Sequence, residues 1–169
     1  MPRREGWRYI AVNDAWRLVP HADVLYACDL AWWNVHNGVP DFKGQKWTSH
    51  DNGTNDKRGC RFPLNYVRGA DRPGFSLDPE LIHYGSNSGF QAVNLAILAG
   101  ATEIHLYGFD MRKVGTQRHF FGDHEGGLHN VNSFHGFIQA FRVAAKDCPV
   151  PIYNATPGSA LDCFRFVEP

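Results

Sequence analysis

The sequence lacks any excess of charge: its 17 Lys and Arg residues balance 17 Asp and Glu residues. That balance removes the electrostatic case for a nucleic-acid backbone or an anionic membrane as the main partner, and leaves nucleic acid only the role of an acceptor. A small charged or polar ligand fits the composition better. Cysteine is scarce and scattered, at Cys28, Cys60, Cys148 and Cys163, with no Cys-x-x-Cys pair to clamp zinc or run thiol exchange. These read as reduced thiols that mostly fill the core. No apolar run approaches the roughly 18 residues of a membrane span. The stretch Met1-Pro2-Arg3-Arg4-Glu5-Gly6 also lacks the apolar centre of a signal peptide. The expectation is a cytoplasmic protein with no membrane partner. Internal repeats and low-complexity tracts are missing as well, which sets aside solenoids and disordered arrays.

What is present suits a single domain. A chain of 169 residues can bury most of a core without disulfides. Residues 8–12 form a short β-prone run, followed by Asn13-Asp14 as a turn or cap and a short helical stretch through Leu18. Residues 23–29 read as an apolar strand between aspartates, the pattern of a sheet covered on both faces. The region from about 34 to 80 is mostly an irregular insertion. Its β-like pieces near Trp47 and over 64–67 suggest a loop or an edge hairpin. An apolar helix then runs from Gln91 to Ala99 and stops at Gly100, with a strand over 103–107 behind it. A helix over about 132–145, a break at Pro149, and a strand over 151–154 complete the chain. This alternation predicts an α/β fold of Rossmann-like type: one mainly parallel sheet with helices on both faces. Ligands of such sheets sit beyond the carboxyl ends of the strands, which groups Asn13, Asp29, Asp110 and Asn154 at one rim.

Two segments concentrate groups that can do chemistry. Gly85-Ser86-Asn87-Ser88-Gly89 opens a helix, where unpaired N–H groups and the positive dipole end favour a phosphate or carboxylate. It is neither a P-loop nor the dinucleotide fingerprint, and a capped structural helix would use the same residues. The stretch 108–135 holds His119, His124, His129 and His135 with Asp110, Asp123 and Glu125. These can bind a divalent metal, supply a general base oriented by a carboxylate, or lie solvated in a loop. His-Glu-x-x-His and zinc-finger spacings are missing, so no residue is assigned to a metal. Adjacent aromatics at Trp32-Trp33 and Phe120-Phe121, in a chain that is 14% aromatic, are either core or stacking surfaces. Asp78 and Glu80 read as a turn or helix-start signal without chemistry.

Three segments together resemble a superfamily that includes bacterial sialyltransferases, flagellin motility-accessory glycosyltransferases and the archaeal 6-hydroxymethyl-dihydropterin diphosphokinase, with phage-encoded members of uncertain role more similar still. The matching pieces are Ile10-Ala11-Val12-Asn13 with Ala22 to Asp29, Asn87-Ser88-Gly89 through Gly108-Phe109-Asp110-Met111, and Asn154 to Ser159 with Phe164. The resemblance implies that Asn13 and Asp29 lie beside the base or ribose, Ser88 and Gly89 at the nucleotide, and Asp110 at the rim. It implies His124 as general base, with His119, His129 and His135 as rivals. The Gly-x-Gly-Pro-Ser-like turn with which those families open has no counterpart here, so nucleotide binding is implied more directly than turnover.

The functional expectation is a glycosyltransferase-like enzyme that binds a nucleotide or nucleotide-sugar and transfers the sugar, with a histidine deprotonating the acceptor. The alternatives are a non-catalytic nucleotide-binding protein that sequesters or senses its ligand, and a diphosphotransferase. Only the last implies a cofactor, magnesium, with Asp110 and Asp123 or Glu125 as ligands.

Overall fold

The computed structural model describes residues 2–49, 61–113 and 134–169. The chain divides into two compact units, Met1–Gly69 and Ala70–Pro169.

In the first unit the apolar runs become strands β1 (Ile10–Val12) and β2 (Val24–Tyr26). They continue into β3 (Gln45–Thr48) and β4 (Asn65–Tyr66) of one sheet in the order β1-β2-β3-β4, with every neighbouring pair parallel. A 3-10 turn, Asn13–Arg17, follows β1, and helix α1 (Leu30–Val35) follows β2. Leu25, Tyr26 and Ala27 are fully buried, as consecutive residues facing opposite ways are where both faces of a sheet are covered. Gly44 admits β3 to this sheet. A Cβ there would lie 2.5 Å from the Asp23 carbonyl oxygen, and without one the Gln45 N–H donates to that oxygen at 2.8 Å. Trp32 and Trp33 are both buried and meet edge to face at 5.0 Å, with Trp33 Nε1 donating to the Ala27 carbonyl. The tryptophan pair is core. A fifth strand, β5 (Arg68–Ala70), straddles the division between the units.

The second unit contains β6 (Leu81–His83), α2 (Ser88–Leu98), β7 (Ile104–Leu106), α3 (His135–Ala144), β8 (Ile152–Asn154) and β9 (Arg165–Phe166). Strands β7, β8 and β9 form a parallel sheet in that order. Phe90, Val93 and Ile97 of α2 and Phe141 and Ala144 of α3 share one apolar cluster with Ile104, Leu106 and Ile152. Because Ile104 is in register with Ile152, those strand residues lie on one face, and both helices cover it. Phe141 is the hub. Its ring centroid lies 5.1 Å from that of Phe90, 5.9 Å from Phe164 and 6.0 Å from Phe109.

The α/β character with mostly parallel strands is as expected, but two expectations need correction. The four anticipated strands do not share a sheet: β1 and β2 belong to one and β7 and β8 to another. The residues around Trp47 are also not a loop or an edge hairpin, since β3 is an interior strand, parallel to both neighbours. The polar sequence Gln45-Lys46-Trp47-Thr48 carries no apolar run to announce it, and its partners come from contacts remote in the chain. Cys28, Cys148 and Cys163 are free thiols, and burial pushes that of Cys163 up to about 11. Among the described residues no helix is long and apolar enough to cross a membrane.

A buried amide ties α2 to the chain before it. Asn94, fully enclosed, accepts from the backbone N–H of Ser76 and of His83, both at 2.9 Å, and donates to the Ser76 carbonyl at 2.9 Å. An apolar side chain of similar size would strand two donors and an acceptor away from water, each at a cost of about 1–3 kcal/mol when unrelaxed. Asn94→Leu should therefore lower stability by roughly 2–4 kcal/mol in urea titrations. A loss below about 1 kcal/mol would mean that the segment 76–83 finds other partners.

Candidate functional site

The second unit brings three loops together at the carboxyl ends of β7 and β8. The first, Gly85-Ser86-Asn87, leads into α2. Gly85 and Ser86 both have positive φ, 51° and 62°, and Asn87 is the N-cap, its Oδ1 accepting from the Phe90 N–H at 2.8 Å while its Nδ2 donates to the Gly85 carbonyl. Gly89 is the second residue of α2, so its N–H has no intrahelical carbonyl one turn earlier to accept from it. The second loop, Gly108-Phe109-Asp110-Met111, leaves β7 with Gly108 at φ 75° and Met111 at φ 50°. The third is Thr156-Pro157-Gly158-Ser159, a turn closed by the Ser159 N–H on the Thr156 carbonyl at 3.2 Å. Gly158 has φ 67°, as a Pro-Gly type II turn requires.

The second and third loops are fastened to each other. The Phe109 N–H donates to Thr156 Oγ1 at 3.0 Å, Ser159 Oγ donates to the Phe109 carbonyl, the Ala160 N–H donates to the Asp110 carbonyl at 2.8 Å, and Arg112 Nε donates to the Gly158 carbonyl. Asn154, buried at the end of β8, shapes the turn from below by accepting from the Thr156 N–H and donating to the Leu161 carbonyl. The first loop meets the second through a ring. A Cβ on Gly89 would lie 2.9 Å from Phe109 Cε1 and 3.1 Å from Asn87 Oδ1.

This geometry assigns distinct positions to the residues anticipated from sequence. Asp110 is half-buried and carries the one carboxylate in the three loops. Ser88 is the first residue of α2 and is buried, at 6% exposure, so it is not a surface group of the rim. Gly89 is glycine because Phe109 occupies the space over its Cα, which leaves a ligand only its N–H. Asn154 serves the fold of the turn. His135 opens α3 and is exposed, whereas His119, His124, His129, Asp123, Glu125, Phe120 and Phe121 lie outside the described residues. Thr156, Ser159 and Arg112 were not anticipated individually. The Thr-Pro-Gly-Ser turn was the available signal.

In the first unit, Asn13 and Asp29 follow directly on β1 and β2, whose parallel pairing brings their carboxyl ends side by side. Asn13 sits at φ 48°, a left-handed conformation that asparagine tolerates better than most residues. Asp29 is the exposed N-cap residue of α1, and its side chain makes no capping bond. Next to Asn13 lies a cluster that sequence reasoning missed. Asp14, 3% exposed, accepts from Trp32 Nε1 at 3.1 Å and lies 3.3 Å from Arg17 Nη2 and 3.5 Å from His36 Nε2. The His36 ring packs against Trp32 at 4.3 Å. These partners of Asp14 are spread over 20 residues of sequence, and only the fold collects them.

No group of three His, Cys, Asp or Glu side chains that could hold a metal ion occurs among the described residues. Asp110 by itself does not make a magnesium site, and the further ligands that one would require, Asp123 or Glu125, are outside the described part.

Compared with known proteins, the chain matches no family model, no curated protein and no solved structure.

Two substitutions check the construction of these sites. Gly89→Ala forces a methyl group against Phe109, whose ring is itself held by Phe141, so overpacking should outweigh the gain in helix propensity and lower stability by about 1 kcal/mol. An unchanged or raised melting temperature would show that the ring yields freely. Asp14→Leu removes the acceptor from the buried Trp32 N–H and should cost roughly 2–3 kcal/mol in denaturant titrations, against a smaller loss for Asp14→Asn, which keeps one acceptor oxygen. Equal losses for the two variants would mean that charge, not the hydrogen bond, is what matters there.

Proposed function

We propose that this chain binds a nucleotide or nucleotide-sugar and acts as a glycosyltransferase-like enzyme. The observation that carries the reading is the convergence in the second unit of the amino end of α2 on a rim of Gly108-Phe109-Asp110 that is hydrogen-bonded to the Thr156 to Ser159 turn. A helix amino end stabilises phosphate through its N–H groups and dipole, and a preorganised loop loses little entropy when a ligand arrives. Asn13 and Asp29, at neighbouring strand ends of the first unit, are assigned to the base or ribose only by the resemblance, and the loops of the second unit carry the reading by themselves. In sugar transfer the chain's part is to position the donor, stabilise charge on the departing phosphate and remove a proton from the acceptor. His124 is the proposed base, on the strength of the resemblance to sialyltransferases.

A second reading is a protein that binds a nucleotide without turning it over, to sequester or sense it. The diphosphotransferase alternative would add magnesium, bridging phosphates between Asp110 and a second carboxylate.

A thermal-shift panel of nucleotides and nucleotide-sugars, with and without magnesium, separates these readings. A ligand of the native state should stabilise it by about 2.7 kcal/mol at 100 times its dissociation constant. Asp110→Ala should reduce that response while leaving the unliganded melting temperature within a degree or two, because the Asp110 contact within the fold is made by its backbone carbonyl. Ser88 is unsuitable for this purpose, since its burial would confound binding with folding. Sugar release that His124→Ala slows by about a hundredfold supports transfer. Binding without turnover supports sequestration, a magnesium-dependent triphosphate response supports diphosphotransfer, and no response to any nucleotide rejects the proposal.

A further inference from the structure

The segment before β1 is not a loose tail. Arg4-Glu5-Gly6-Trp7 forms a turn, closed by the Trp7 N–H on the Arg4 carbonyl at 3.3 Å with Gly6 at φ 78°, the glycine position of a type II turn. The turn is pinned to the amino ends of β1 and β2. Arg3 donates to Asp23 Oδ1 at 2.6 Å and to the His21 carbonyl at 2.8 Å, and Arg8 reaches the same Asp23 oxygen at 3.2 Å. The Arg4 N–H donates to Tyr9 Oη and the Tyr9 N–H to Asp23 Oδ2, both at 2.8 Å. Burial works against the charged form of Asp23, but Arg3, the Tyr9 amide and Arg8 outweigh it and hold the carboxyl below its ordinary value. The anchor therefore stays ionised throughout the neutral range and weakens only as pH falls through that lowered value.

Between these anchors lies a cleft of about 430 Å³ lined by Arg3, Arg4, Glu5, Gly6, Trp7 and Arg8. Asp23 is shared by two guanidinium groups, so it neutralises only one of them. The side chain of Arg4 has neither a hydrogen bond nor an ion pair among the described residues. Glu5 is the one acid in the lining, which leaves the positive groups in excess. Guanidinium forks match the geometry of phosphate oxygens, and their planar groups lose little freedom when they bind. A Cβ on Gly6 would meet nothing within 4 Å, so the mouth of the cleft is open. It lies at the amino ends of the strands, the opposite end of that sheet from Asn13 and Asp29.

We propose that this cleft is an anion site that takes a phosphate group, separate from the strand-end rims and independent of the nucleotide reading. Arg4 is the residue free to move onto the anion, and Arg3 and Arg8 are held in place for it by Asp23.

The test is calorimetric titration of the full chain with inorganic pyrophosphate and, separately, with AMP, at constant ionic strength. Binding of pyrophosphate that Arg4→Ala weakens by at least about tenfold supports the site, provided the variant keeps its melting temperature, as a side chain with no partner allows. If Arg4→Ala affects pyrophosphate alone, the ligand is the free anion. If it weakens AMP as well, the ligand is a phosphate ester. Arg4→Glu should abolish whichever response Arg4→Ala weakens. Undetectable pyrophosphate and AMP binding to the unaltered chain, or equal binding by the folded Arg4→Ala variant, overturns the proposal.

Discussion

The candidate site of the second unit depends on one aromatic contact, the ring of Phe109 lodged between Phe141 and the bare Cα of Gly89. Phe141 is fully buried and gathers rings from α2, from the rim loop and from the chain after β8. Phe109 therefore joins the apolar core to the loop that presents Asp110. Dense aromatic packing transmits position well, because rings sit in narrow rotamer wells and leave few voids. Gly89 has its structural reason in this contact: the helix and the loop can approach only if the helix has no side chain there.

Around this contact the polar groups of the loops bind mostly to one another. Thr156, Ser159, Ala160 and Arg112 satisfy the backbone of residues 109, 110 and 158, and Asn154 satisfies the turn beneath them. A loop whose backbone bonds are made internally can hold a side chain at a rim without paying for order when a ligand binds. Asn94 does for the segment 76–83 what Asn154 does for the turn: a buried amide replaces hydrogen bonds that irregular backbone would otherwise make to water. Asp14 in the first unit differs, since it gathers side-chain partners from Trp32, Arg17 and His36.

The carboxyl end of α2 was legible in the residues, where Gly100, at φ 83°, takes the left-handed exit for a reason that acts within a few residues. Its amino end was legible only as a choice among Ser86, Asn87 and Ser88, of which Asn87 is the cap, and the helix starts three residues before Gln91. The Thr-Pro-Gly-Ser turn was legible for a similarly local reason. Strand β3 was not, because Gln45-Lys46-Trp47-Thr48 has no local preference strong enough to announce a strand, and Lys46 lies partly buried with its ammonium group donating to the Gly38 carbonyl. Helix α1 also escaped notice. It is short, and its two tryptophans have only middling helix propensity, so packing rather than propensity holds it.

Sequence alone determined which segments are strand, helix or turn wherever the cause is local: apolar runs bounded by aspartate and glycine, caps, and residues that accept positive φ. It also determined that polar groups follow the strands. Only the tertiary structure decided that the four anticipated strands divide between two different parallel sheets, with β5 and β6 pairing apart from both, that β3 lies inside the first of them, that Ser88 is buried, and that Asp14 gathers Trp32, Arg17 and His36. Parallel pairing joins residues a crossover apart, and a buried carboxylate finds its donors wherever the chain returns. The energies that settle those choices come from contacts between segments, and no short window of residues contains them.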